Sequence, residues 1–159
     1  KVIYYGLMGL SLFWTGVFLI LVSGVVVLIS TWLAWGTGPG GMLSLSGWDW
    51  YDIGRSGIAG SGEVSNAFFI YSQGYPIFTG LCSLILGGII ALIGVLMLIF
   101  RSKGIGGIAI LFSIFALGIA ITNLTTVIRS EGINLGIGMY LFLAFSFLGI
   151  VGGGVAMSD

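Results

Sequence analysis

Residues 76–128 read PIFTGLCSLILGGIIALIGVLMLIF-RSK-GIGGIAILFSIFALGIAITNLTTVI, with hyphens around the two cations of this stretch. The run on each side of Arg101-Ser102-Lys103 is 25 residues long and carries no charge. A helix needs about 20 mostly apolar residues to cross the hydrocarbon core of a bilayer. The stretch therefore predicts two antiparallel membrane-spanning helices joined by a very short turn.

The rest of the chain repeats this pattern, because its 10 charged residues fall in five places separated by charge-free stretches. Each stretch has room for one span, and we predict spans at residues 4–32, 76–100, 105–128 and 135–157. Pro76 suits the first turn of the second span, where its missing N–H would be unpaired in any case. The predicted fold is an all-α integral membrane protein. It forms one four-helix domain over residues 1–159, with a long glycine- and aromatic-rich outer loop at about residues 33–74.

The composition narrows the function as well as the fold. The chain is 58% hydrophobic and 6% charged, and its mean hydropathy is +1.20, whereas about 25% of the residues of a soluble domain are charged. With so few charged residues, five of them Lys or Arg, the composition excludes a nucleic-acid-binding protein, which needs a basic patch. The chain has no histidine and a single cysteine, Cys82, so we expect no metal, haem or other cofactor to be bound by this chain alone.

The distribution of cations predicts the orientation. Four spans place both termini on one side of the membrane, together with Lys1, Arg101 and Lys103, and with Asp159 as the acid of that side. Short loops that face the cytoplasm carry an excess of Lys and Arg. We therefore predict that both termini are cytoplasmic and that the long loop between the first two spans faces outside.

The outer loop contains the densest group of aromatic and acidic residues in the chain. Its glycines argue against a long helix and favour turns, with a short strand pair around Met42–Leu45 and Ile53. Trp and Tyr dominate the binding energy of many interfaces, but rings of this kind also anchor loops at the level of the lipid headgroups. The candidates for a partner interface in this loop are Trp48, Trp50 and Tyr51.

The carboxylates of the same loop form a second candidate site. Asp49, Asp52 and Glu63 could hold an ion or act as a polar site, although calcium prefers six to eight oxygen ligands. A local ion pair between Asp52 and Arg55 is the alternative interpretation.

Within the spans, small residues and one amide are informative. Gly149 and Gly153 form a GxxxG pair in the fourth span, and such pairs let helix backbones approach closely in lipid. They are candidates for contact with another helix, either in this bundle or in a partner subunit. The amide side chain of Asn123 is costly to bury, so we expect it to bond another helix or to reach the lipid headgroups. If the protein forms a pore, the polar residues of segment 122–126 are the candidates to line it.

These features favour a non-catalytic tetraspan protein that serves as an accessory or scaffold subunit of a larger membrane complex, with the lipid bilayer and other membrane subunits as partners. No charged residue falls inside a predicted span, and intramembrane charges are typical of pumps and transporters. Two alternatives stay open at this point. One is a pore or transporter component, and the other is a lipid-handling protein or enzyme that uses the loop carboxylates.

Overall fold

Four long helices dominate the structure, a computed structural model that describes residues 2–56, 68–72 and 74–158, with residues 2–10 described through their backbone alone. In chain order the elements are α1 (Val2–Ser30), β1 (Ala34–Thr37), a 3-10 turn (Pro39–Gly41), β2 (Ser44–Ser46), α2 (Gly47–Arg55), β3 (Phe69–Ser72), β4 (Tyr75–Phe78), α3 (Gly80–Phe100), α4 (Gly104–Arg129), β5 (Asn134–Leu135) and α5 (Ile137–Met157). The helices α1, α3, α4 and α5 each contain a segment long and apolar enough to cross a membrane. The prediction of four such helices is confirmed.

The four long helices form an antiparallel bundle in which α1 packs mainly on α3 and α5, and α4 packs mainly on α5. Small residues set the spacing of α1 and its neighbours. A Cβ on Gly24 would lie 2.3 Å from the backbone nitrogen of Ala91, and a Cβ on Gly16 would lie 2.4 Å from that of Ala156. Because no real side chain tolerates such distances, these helices approach backbone to backbone, as expected of helices that associate in lipid.

The turn between α3 and α4 marks one end of the bundle. Helix α3 ends where Arg101 adopts a left-handed conformation, with φ of 49°, and donates its N–H to Met97 O. The Arg101 guanidinium lies over the ring of Trp14, 5.6 Å from its centroid. At 1.5 Å per residue, the 21 residues of α3 span about 31 Å, which is close to the thickness of a hydrocarbon core.

The segments that connect the helices at the opposite end contain strands. Strand β1 lies between β2 and β5 in a three-stranded antiparallel sheet, with Gly36 opposite both Leu45 and Leu135. Strands β3 and β4 form a separate antiparallel ribbon, with Phe69 opposite Phe78 and Ser72 opposite Tyr75.

Three local predictions differ from the observed elements. Pro76 lies in β4 rather than in the first turn of a helix, and the following helix begins at Gly80. Leu135 likewise belongs to β5, so the last helix begins at Ile137. The strand expected around Ile53 is helix α2 instead, because a capping box at its first turn outweighs the cost of its glycines.

Candidate functional site

The candidate site is the layer formed by the strands and α2 at one end of the bundle. We call the described residues 31–56, 68–72, 74–79 and 130–136 the end layer. Trp35 fixes this layer to the bundle: its side chain is fully buried, its indole Nε1 donates to Ser30 O at 2.7 Å, and its ring stacks on Phe142 with centroids 5.5 Å apart. The ring leaves room for glycine alone at position 47, since a Cβ on Gly47 would lie 2.5 Å from Trp35 Cζ2.

A second attachment joins α4 to strand β4. The buried Asn123 side chain accepts a hydrogen bond from Phe78 N at 2.7 Å and donates one to Phe78 O at 2.9 Å. One turn further along α4, the Thr126 hydroxyl donates to Pro76 O. The expected partner of Asn123 was another helix or a headgroup, and the structure gives it the backbone of a strand instead.

The other hydroxyls of the 122–126 segment are satisfied within their own helix. Thr122 donates to Gly118 O and Thr125 to Ile121 O, both at 2.9 Å. Such bonds need no further role, because hydroxyls commonly bond the carbonyl one turn back. Asn123 and Thr126 are therefore the two polar side chains of this segment that attach α4 to β4.

Asp49 and Asp52, the two acidic residues of α2, both make contacts within or next to this helix. Asp49 Oδ2 accepts hydrogen bonds from the Ser46 N–H at 2.7 Å and the Ser46 hydroxyl at 2.8 Å, while Asp49 N–H donates back to Ser46 Oγ. This is a reciprocal capping box, which satisfies donors at the start of a helix. Asp52 lies 3.9 Å from the Arg55 guanidinium, so that ion pair is confirmed.

The carboxylates do not gather into an ion site among the residues that the structure describes. Within those residues no group of three or more His, Cys, Asp or Glu side chains could hold a metal ion. Asp49 already uses one carboxylate oxygen for the cap. Glu63, the third predicted member, lies outside the described residues.

The aromatic candidates separate into two groups. Trp48 and Tyr51 are half-buried and form a row of aromatic rings with Trp32. The ring centroids of Trp32 and Trp48 are separated by 6.3 Å, and those of Trp48 and Tyr51 by 4.8 Å. Trp32 is 52% exposed, and the Trp48 N–H donates to Thr31 O at 2.9 Å. This row therefore lies at the end of α1, where an interfacial aromatic belt would lie.

Trp50 does not belong to that row, which corrects its prediction as an interface residue. Its side chain is 6% exposed, and Gly47 and Gly54 share its buried face of α2. The helical spacing of these three residues directs them toward the bundle, so Trp50 is part of the core. Its indole Nε1 has no hydrogen-bond partner in the structure.

Gly149 and Gly153 are likewise used inside the chain rather than on a free face. A Cβ on Gly149 would lie 2.3 Å from Ser113 Oγ, and one on Gly153 would lie 2.4 Å from Ile110 Cγ1. Both neighbours belong to α4. Of the two placements that the sequence left open, the structure gives packing within the bundle for both glycines.

The most exposed apolar side chains of the end layer were not predicted. The β1–β2 hairpin is closed by a bond from Gly38 N to Leu43 O at 2.7 Å and turns through Gly40 and Gly41, whose φ angles are +70° and +72°. Met42 beside this turn is 91% exposed and Leu43 is 67% exposed. The sequence signal was available, since two glycines between short alternating segments indicate a tight turn, and two apolar residues follow it directly.

Comparison of the chain with protein-family models, with curated proteins and with solved structures yields no match.

Proposed function

We propose that this chain is a multi-pass membrane protein that acts as a non-catalytic subunit of a larger membrane complex and binds its partners through the end layer. The four long apolar helices support its insertion in the bilayer. In this proposal both termini are cytoplasmic and the end layer faces outside, as the distribution of Lys and Arg predicts.

The observation that carries the proposal is the exposed apolar tip of the β1–β2 hairpin. Met42 and Leu43 lie outside the four apolar helices and expose 91% and 67% of their surface. Full burial of such side chains is worth about 1.5–3 kcal/mol each, and apolar patches that the fold leaves uncovered mark interaction sites. A partner that covers this tip would gain that energy.

The attachments of the end layer give further support. Trp35 and Asn123 tie the layer to α5 and α4 through buried contacts. A surface that is already held in place loses little conformational freedom on binding, which favours affinity. Asp49 caps α2, and Asn123 and Thr126 attach α4 to β4, which suits a structural subunit.

The test is purification from the native membrane in a mild detergent. We expect the wild-type chain to elute with partner chains at a fixed stoichiometry. The variant Met42→Ser/Leu43→Ser should lose those partners, with affinity reduced about tenfold or more, because tenfold corresponds to about 1.4 kcal/mol. The matched control Met42→Leu/Leu43→Met keeps the tip apolar and should retain them. A wild-type chain that elutes alone, as a monomer, would contradict the proposal.

A further inference from the structure

The ribbon β3–β4 has two outer edges, and the hydrogen-bond pattern decides which backbone groups point to each. Thr79 N donates to Phe68 O at 2.8 Å, so these two residues face each other inside the ribbon. In an antiparallel ladder such pairs alternate with pairs whose backbone groups point outward. The pairs Phe69–Phe78 and Tyr71–Pro76 are therefore the outward-pointing ones.

The outer edge of β4 is completely closed. Phe78 N–H and Phe78 C=O both bond the Asn123 side chain, and Pro76 C=O accepts from Thr126. Pro76 itself has no N–H to satisfy. The three outward-pointing backbone groups of Phe78 and Pro76 are therefore all bonded to side chains of α4.

The outer edge of β3 is open among the residues that the structure describes. Phe69 and Tyr71 direct two N–H and two C=O groups away from β4, and no described residue bonds them. Tyr71 is 62% exposed, and its ring lies beside that of Phe69 with centroids 6.1 Å apart. The strand has neither the charge, the proline nor the bulge with which proteins usually protect an open edge.

The contact with α4 gives the position of this edge along the bundle. Phe78 is bound at Asn123, which lies six residues before the last residue of α4, Arg129, or about 9 Å along the helix axis. Phe69 lies opposite Phe78 and therefore at a similar depth. Unpaired backbone groups along a strand edge form a template for pairing with another strand, and Phe69 presents such groups.

We propose that the outer edge of β3 is a strand-addition site for an extended segment of a different subunit. This proposal rests on the proposed role as a subunit of a membrane complex, and it specifies strand addition as the way in which the partner subunit binds. The added strand would exchange four backbone hydrogen bonds with Phe69 and Tyr71, as in other cases of strand addition to a sheet edge. Its side chains next to these rings would be uncharged and β-branched or aromatic, since such cross-strand pairs are stabilising.

The geometry disfavours a second copy of this chain as the occupant. Asn123 binds Phe78 and Thr126 binds Pro76, so β4 runs antiparallel to α4 and the ribbon stands along the bundle axis. Two copies with the same orientation in one membrane would therefore pair their β3 strands in parallel, with Phe69 opposite Phe69. In a parallel ladder, the outward-pointing residues of one strand lie between those of the other strand. Two β3 strands with Phe69 opposite Phe69 therefore cannot form the hydrogen bonds of such a ladder.

The first test is residue-resolved hydrogen exchange on the chain in its native membrane and on the chain purified alone in detergent. We expect the Phe69 and Tyr71 amides to exchange on the order of 100-fold more slowly in the membrane, because partner binding adds hydrogen bonds that must open before exchange. The Ile70 amide points into the ribbon and should be slow in both samples. Equal rates in the two samples, or protection already present in the isolated chain, would overturn the proposal.

The second test is Tyr71→Pro, compared with Tyr71→Val. Proline removes an N–H that the ribbon does not use, whereas valine retains it, and proline is tolerated on the outer side of an edge strand. We expect Tyr71→Pro to reduce partner recovery about tenfold or more and Tyr71→Val to retain it. If both variants keep the partner while Met42→Ser/Leu43→Ser loses it, strand addition is wrong and the subunit role stands. If the wild-type chain has no stoichiometric partner, both are wrong.

Discussion

The side-chain amide of Asn123 pairs with the backbone of Phe78 as a neighbouring strand would: its Oδ1 accepts from Phe78 N at 2.7 Å and its Nδ2 donates to Phe78 O at 2.9 Å. A helix side chain thus completes the edge of a β-ribbon. The pairing also relates two segments that are 45 residues apart in the chain.

Replacing Asn123 by Leu tests the energetic weight of this pairing. Leucine has a similar size but leaves Phe78 N–H and C=O without partners, and each unsatisfied buried group costs about 1–3 kcal/mol. We expect Asn123→Leu to lower the free energy of unfolding by roughly 2–4 kcal/mol, measured by thermal unfolding in detergent. Thr125→Val is the control, since the Thr125 hydroxyl bonds its own helix and its loss should change little. Equal unfolding midpoints for Asn123→Leu and Thr125→Val would contradict this prediction.

The long helices could be predicted because their signal is local. A charge-free apolar run of about 20 residues is sufficient to indicate a span, and no distant contact is needed to recognise it. Pro76 shows where this reasoning fails. Proline suits both the first turn of a helix and the outer side of an edge strand, and the choice here is made by Thr126, which binds its carbonyl from 50 residues away.

The site was less predictable for two reasons. Helix α2 does have a local signal, since Ser46 and Asp49 form the capping-box pair, but the prediction rests on the density of glycine alone. Without that helix the spacing of Gly47, Trp50 and Gly54 could not be recognised as one buried face. The open edge of β3 has no sequence signal at all, because it depends on which side of the ribbon Asn123 occupies.

The capping box predicts different roles for two acidic residues of α2. Asp49→Ala removes the cap and should lower the free energy of unfolding by about 1 kcal/mol. Asp52→Ala removes an exposed ion pair of 3.9 Å and should cost less than about 0.5 kcal/mol. Thermal unfolding of the two variants measures whether Asp49→Ala is the more destabilising substitution. Calcium in the buffer should leave the wild-type midpoint unchanged, and a calcium-dependent rise that Asp49→Ala abolishes would instead establish an ion site.

The proposed orientation predicts a labelling pattern for two cysteine variants in a Cys82→Ser background. Met42→Cys lies on the exposed hairpin tip, and Ser102→Cys lies in the exposed turn between α3 and α4, at opposite ends of the bundle. A membrane-impermeant maleimide should label Met42→Cys in intact cells and Ser102→Cys after the membrane is opened. The reverse order would show that the termini face outside.

Two adjacent glycines of α5 provide the sharpest test of bundle packing, because they differ in what surrounds them. A Cβ on Gly153 would lie 2.4 Å from Ile110 Cγ1 and 2.8 Å from Gly106 O, whereas a Cβ on Gly154 would meet nothing within 4 Å. Gly153→Ala must push α4 away, and overpacking of this kind costs about 1–3 kcal/mol. Gly154→Ala meets no obstacle and should gain up to about 1 kcal/mol in helix propensity.

The two substitutions add the same methyl group to consecutive positions of one helix. Opposite changes in the free energy of unfolding would therefore come from the difference in packing around the two positions. Thermal unfolding of Gly153→Ala and Gly154→Ala in the same detergent measures both. A shift in the same direction for the two variants would mean that α5 does not face α4 through Gly153. If instead Gly153→Ala lowers the midpoint and Gly154→Ala raises it, the face that contains Gly149 and Gly153 is occupied within the chain and is not free to bind another subunit.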